Sequence, residues 1–181
     1  MVASIGRVFF AVDLDAESRA AIATQLQDLE MPGKPVPPQN WHLTLRYVKS
    51  IDEVAFDRLL AAVDQLERGE AFRVAFTDPG AFPNARRATV VWRGVSDPGD
   101  RLAALAADIE TACQEVGLRA EDRPYRAHLT LARIRPAEDV RPLMDLEIAP
   151  VPLHVDHITL FRSHLGGPNA RYEPLVTFEL R

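Results

Sequence analysis

The tetrapeptide His-Leu-Thr-Leu occurs twice, at residues 42–45 and 128–131, an offset of 86 residues in a chain of 181. A motif repeated at about half the chain length predicts two copies of one supersecondary plan, related by a pseudo-twofold axis. Each copy lies in a β-rich alternating run, WHLTLRYV at 41–48 and AHLTLARI at 127–134. Side chains alternate across a strand, so histidine and threonine share one face and both leucines point to the other, into a core. A strand repeated only for packing would have to preserve the leucines. Preserving the imidazole and the hydroxyl as well points to chemistry on the polar face.

The flanking segments follow the same plan twice. Residues 7–14 read as a strand, and Asp15 as the cap of a helix with Ile22, Leu26 and Leu29 on its apolar face, ended by Pro32 and Gly33. Four prolines make 32–40 a loop into the first motif strand. Ser50 and Glu53 stand at capping-box spacing before a helix carrying Phe56, Leu59, Leu60, Val63 and Leu66 and closed near Gly69. A strand at 72–76 and a turn at 78–84 complete the first half. The second half predicts a strand at 88–95, a cap region at Asp97-Pro98, a helix over 100–116 ended by Gly117, and the second motif strand. A helical segment over 140–146 containing Pro142 and a final strand at 153–161 follow. The expected fold is α+β: one domain over 1–181, built of two lobes packed together.

Composition narrows the function classes. With 47% apolar and 26% charged residues the chain is an ordinary folded protein. No run approaches the roughly 18 apolar residues of a membrane span, and the apolar stretch at 8–12 stops at Asp13, too short for a signal-peptide core. A cytoplasmic protein with no membrane association is expected. Cys113, the single cysteine, reads as a buried small hydrophobe. The net charge of −5 argues against broad electrostatic affinity for nucleic acid, so phosphate binding has to be local. Between residues 119 and 135 five arginines (Arg119, Arg123, Arg126, Arg133, Arg135) stand against Glu121 and Asp122, around the second motif.

If a twofold axis relates the motif strands, His42, Thr44, His128 and Thr130 converge across a cleft. Imidazole titrates near pH 6.5, so one can accept a proton while the other donates one. Such a pair suits in-line displacement at phosphorus, with the threonine hydroxyls on the non-bridging oxygens. Arg46 and Arg126 either meet phosphates or are solvated. Tyr125, Phe9 and Phe10 read as core residues, with base stacking the alternative for an aromatic near the cleft. His154 and His157 are spaced to lie on opposite faces of a strand, which speaks against a metal site, and His164 falls in a glycine-containing loop.

The chain resembles the bacterial and archaeal RNA 2′,3′-cyclic phosphodiesterases, also called 2′-5′ RNA ligases, within the two-histidine (HxTx) phosphoesterase superfamily. The resemblance spans nearly the whole sequence. It rests on RVFFAVDLD at 7–15, NWHLTLRYV at 40–48, GAFPNARRATVVWRGV at 80–95, EDRPYRAHLTLAR at 121–133 and ITLFRSHLGGPNARYEPL at 158–175. It implies a bilobal fold, each lobe an antiparallel sheet facing a central cleft with helices outside. It also implies metal-independent opening of a 2′,3′-cyclic phosphate on RNA ends or nucleotides to a 2′-phosphomonoester, with no cofactor. His42 would be the proton donor, His128 the acceptor, and Arg133 a phosphate ligand. Ala127 and Lys49 depart from the family's frequent proline and glycine. A monomer without a protein partner is expected. Two other readings remain: a non-catalytic module holding a nucleotide or RNA end, and a phosphodiesterase for another small cyclic or 2′-5′ linked nucleotide.

Overall fold

The computed structural model describes residues 4–181. Nine strands make one antiparallel sheet: β1 (Ser4–Asp13), β2 (Lys34–Pro35), β3 (His42–Asp52), β4 (Phe72–Phe82), β5 (Ala88–Ser96), β6 (His128–Glu138), β7 (Val151–Val155), β8 (His157–His164) and β9 (Arg171–Glu179). Their order is β7-β4-β5-β6-β3-β1-β8-β9, with β2 paired to the free side of β6. The two expected lobe sheets are therefore joined edge to edge. The joint is the contact between the motif strands, where Leu43 is paired with Leu129. These two leucines occupy the same position in the repeat, so a local twofold axis passes between them.

Each lobe takes its third strand from the other half of the chain. β4 follows the first-half elements yet pairs with β5 of the second lobe, whereas β8 pairs with β1 of the first. The stretch expected as a single strand at 153–161 is broken at Asp156 into β7 and β8, which lie in opposite halves of the sheet. The expected turn at 78–84 is largely strand: β4 continues to Phe82 against β5, with an irregularity between Phe76 and Pro79. β9, absent from the sequence reading, pairs with β8 along its full length and puts His164 at a strand end, opposite Arg171.

The helices α1 (Ala16–Leu26), α2 (Glu53–Asp64) and α3 (Arg101–Glu115) bury their apolar stripes against the leucine face of the sheet. Ile22, Leu59, Val63, Leu102, Leu105 and Ile109 share one core with Leu43, Leu45, Leu129 and Leu131. Asp15 caps α1 by accepting the Ser18 N–H (2.7 Å). α2 is capped by Asp52, which accepts the Ala55 N–H, and not by Ser50, because β3 runs on to Asp52. The Asp97 carboxylate accepts the Arg101 and Leu102 N–H groups at the start of α3. Orphan donors at helix N-termini favour such carboxylates. A short α4 (Arg141–Met144) begins with Pro142 in its first turn. Cys113 is buried in the core and its thiol is pushed up to about 11 by burial. Among the described residues no helix is long and apolar enough to cross a membrane.

Candidate active site

Antiparallel pairing at Leu43/Leu129 puts His42 across from Thr130 and His128 across from Thr44, all four on the face opposite the leucines. The histidines are diagonal neighbours, a separation of about 7–8 Å between strand positions. That span accommodates one phosphate held from two sides. Both rings are fixed in the same way. His42 donates its Nδ1–H to the Asn40 carbonyl (2.8 Å), and His128 donates its Nδ1–H to the Arg126 carbonyl (2.7 Å). A carbonyl can only accept, so the tautomer is set and Nε2 is left for the cleft. His42 Nε2 lies 3.0 Å from Thr44 Oγ1.

A matched β-bulge decides which side chains follow the motifs into the cleft. Along β3 the partners step from Thr44↔Ala11 to Arg46↔Phe10, skipping Leu45; along β6 they step from Thr130↔Trp92 to Ala132↔Val91, skipping Leu131. The extra residue reverses the alternation. Arg46 and Ala132 therefore turn to the helix face, whereas Tyr47 and Arg133 turn to the cleft. Arg46 has a side-chain exposure of only 8%. It donates to the Glu110 carboxylate on α3, to the Tyr47 carbonyl and to the Arg119 carbonyl (2.6 Å for the last). The expectation that Arg46 meets phosphate is thus corrected: it is an internal clamp. Arg133 is exposed on the cleft side, and its charge acts on both histidines.

Aromatic walls flank the pair. On the first lobe Phe9, Phe161 and Tyr172 cluster about His42, with ring centroids 4.8 Å (Phe9) and 5.2 Å (Tyr172) from the imidazole. Phe9 is thus part of the cleft wall as well as buried, and only Phe10 lies wholly in the core. On the second lobe Phe82 stands edge-on to His128 at 5.1 Å beside Trp92 at 6.2 Å, and the Arg126 guanidinium lies 4.5 Å over the Trp92 ring. Trp92 fits only because Gly80 is opposite: a Cβ there would come 2.2 Å from the indole. Tyr125 lies beside this wall with its hydroxyl buried. Sequence patterning missed Tyr172, Phe82 and Trp92 as cleft residues; Trp92 in VVWRGV reads as core.

Burial pushes the His42 imidazole below its usual value. The Asn40 carbonyl and the Asp13 carboxylate oppose that shift, and the charges of Arg133 and His128 add to it. Burial likewise lowers His128, opposed by the Arg126 carbonyl and reinforced by the charges of Arg126 and Arg133. Both rings are mainly neutral at pH 7. His154 and His157 sit on β7 and β8, and His157 faces Asp156.

The model of the 2′-5′ RNA ligase superfamily matches residues 14–167 of the chain. An RNA 2′,3′-cyclic phosphodiesterase of Thermus thermophilus is 36% identical over 97% of this chain and 90% of that protein. Its namesake from Methanothermobacter thermautotrophicus is 31% identical over 96% and 98%. Among solved structures, Escherichia coli LigT in complex with 3′-AMP superposes with a TM-score of 0.81 at 29% identity, covering 97% of this chain and 98% of that one.

Proposed function

The chain belongs to the 2′-5′ RNA ligase superfamily, and from that premise we propose that it opens 2′,3′-cyclic phosphates on RNA ends or nucleotides to 2′-phosphomonoesters by paired histidine catalysis. The observation carrying this reading is the diagonal pair His42/His128, each with Nδ1–H held by a backbone carbonyl and Nε2 left to the same cleft. In-line displacement needs a base on the attacking side of phosphorus and an acid on the leaving side. Two imidazoles on either side of one phosphate supply both.

His128 takes a proton from water as the water oxygen bonds to phosphorus. The P–O3′ bond breaks, and O3′ receives the proton of His42, leaving the phosphate on O2′. The neighbours support this assignment of roles: Asp13 favours the charged form of His42, whereas Arg126 favours the neutral form of His128. Thr44, Thr130 and Arg133 hold the non-bridging oxygens. A 5′-hydroxyl in place of water would give a 2′-5′ linkage by the same proton transfers. The whole chain acts as one bilobal unit, since the cleft is assembled from both halves.

The reading is tested by incubating the protein in EDTA with an oligonucleotide ending in a 2′,3′-cyclic phosphate and identifying the product. A 2′-phosphate is expected. A 3′-phosphate would reverse the assigned leaving group, and binding without turnover would favour the non-catalytic module.

A further inference from the structure

We infer that the RNA strand leading up to the cyclic phosphate leaves the catalytic cleft over the first lobe, with a base stacked on Tyr47 and backbone phosphates on Arg7 and Lys49. The inference rests on the proposed phosphodiesterase reading and adds to it a subsite that tells an RNA end from a mononucleotide. In-line geometry gives the direction. Water arrives beside His128 and O3′ departs toward His42, so the ribose that carries O3′ lies on the His42 side of phosphorus. The chain attached to that ribose at O5′ therefore starts from the first lobe.

On that side the cleft continues into a recess of about 1090 Å³, larger than the roughly 300–1,000 Å³ of a small-molecule site. Phe9 connects the two. Its ring lies 4.8 Å from the His42 imidazole and 4.9 Å from Tyr172, and its strand partner is Tyr47, in the wall of the recess. Burial raises the Tyr172 hydroxyl, and Arg133 and Tyr47 also act on it, so Tyr172 stands near both the phosphate ligand and the recess. Lys49, in the same wall, is seven residues from His42 along β3, roughly 20 Å at about 3.3 Å per residue. That is the reach of several nucleotides.

Two properties of the lining fit a single strand. Among the described residues three large apolar side chains are exposed, and two of them, Tyr47 (41%) and Leu165, border this recess. An exposed aromatic ring offers a face on which any base stacks. The cations are the second property. Arg46 and Arg119 are held by Glu110 and Asp122, Arg162 donates to the Ile5 carbonyl (2.8 Å), and His164 faces the Glu173 carboxylate (2.6 Å). The side chains of Arg7 and Lys49 are exposed in the same lining, with no hydrogen-bond or ion-pair partner among the described residues.

The carboxylates of the lining, Glu121 and Asp122, face Arg46 (3.8 Å) and Arg119 (2.8 Å), which offset their charge. The recess of the second lobe has the opposite sign: Asp78, Asp97 and Asp100 line it against Arg126 alone. A polyanion is repelled there and attracted to Arg7 and Lys49. The phosphodiester chain thus follows the first lobe, and the second is left to the attacking water or 5′-hydroxyl.

The test measures calorimetric binding of 2′-phosphate-ended oligonucleotides of one to five nucleotides, with KM for the matching 2′,3′-cyclic substrates. Affinity of wild type should rise with each of the first few nucleotides added on the 5′ side. Tyr47→Ala should weaken the four-nucleotide complex by about tenfold, the worth of one stacked base. Arg7→Ala/Lys49→Ala should weaken it by about as much, and should flatten the slope of log affinity against log salt by about 1.4, two phosphate contacts at about 0.7 each. The same double variant should bind the mononucleotide within about twofold of wild type, since both charges lie beyond its reach. Equal affinity of wild type for one and four nucleotides overturns the inference. So does a gain with length that survives the double substitution in a protein of unchanged melting temperature, or a loss that falls equally on the mononucleotide. Failure to hydrolyse any cyclic substrate would overturn the phosphodiesterase reading instead, while the 2′-phosphate affinities still decide the path of the strand.

Discussion

Replacing Arg46 with alanine separates a structural arginine from a phosphate ligand. The guanidinium is bonded to Glu110, Tyr47 O and Arg119 O, with Glu121 at 3.8 Å, and it sits behind the motif strand. Breaking a buried ion pair from one side costs about 3–5 kcal/mol. Here the abandoned partner is not stranded: Glu110 keeps the Gln114 side chain and the Glu121 N–H (3.0 Å), and its side chain is 21% exposed. The expected loss is therefore lower, about 2–3 kcal/mol, or about 5–10 °C in melting temperature for a domain of this size. Burial alone would raise the Glu110 carboxyl, but the bonds from Glu121 N–H, Gln114 and Arg46 outweigh it and hold it below its usual value. A depressed carboxyl stabilises the fold above its unfolded value and ceases to do so as pH falls through the folded one. The gap between wild type and variant should accordingly narrow below about pH 4. Thermal unfolding at pH 7 and pH 3.5, with kcat/KM on a 2′,3′-cyclic substrate at 20 °C, checks each part. Activity of the folded variant should stay within about twofold, since no group in the cleft is removed. A tenfold fall in kcat/KM with an unchanged melting temperature would refute the placement of Arg46 outside the site.

Three further outcomes follow from the cleft. Because both histidines titrate below 6.5, kcat/KM should be bell-shaped with its maximum on the acid side of that value, declining above it as His42 loses the proton it must donate; a maximum above pH 7.5 contradicts the assignment. Arg133→Ala should raise KM and move the basic limb of the profile to higher pH, because its charge depresses both imidazoles; Arg133→Lys should restore the limb better than the affinity, since a point charge replaces a fork. His42→Ala and His128→Ala should each cost about 10²- to 10⁴-fold in kcat, and the double variant little more than the worse single one; multiplicative losses measured by single-turnover hydrolysis would mean two independent contacts.

What the sequence made legible, and what it hid, divides at the bulges. Alternation within His-Leu-Thr-Leu places His42, Thr44, His128 and Thr130 on one face, and no irregularity falls before the last leucine of either tetrapeptide. Continued strictly, the same alternation would carry Arg46 into the cleft and Arg133 into the core. Leu45 and Leu131 are the extra residues that invert this, and neither differs in type from any other strand leucine, so nothing local announces them. Arg133 was reached only through family resemblance. The strand exchange was hidden for another reason: β4 and β8 carry no mark of which lobe they join, because pairing partners far along the chain are chosen by the closure of the whole sheet. Helix caps were the opposite case at Asp15 and Asp97, where a short-range hydrogen bond is written in adjacent residues. At Ser50 a capping-box spacing was outvoted by a strand that had further to run.

Repetition and divergence do different work in this cleft. The repeat supplies two equivalent imidazoles, each bonded through Nδ1 to the carbonyl two residues before it, at equivalent distances from the local axis. Two equivalent groups hold a shared proton equally, and different surroundings bias which of them carries it. The differences lie in the neighbouring strand and the approach loop. Asp13 beside His42 is replaced by Gly94 beside His128, and Asn40 is replaced by Arg126 two residues ahead. Burial, the largest influence, and the charge of Arg133 lower both imidazoles, while the Asp13 carboxylate favours the charged form of His42 alone and the Arg126 guanidinium disfavours that of His128 alone.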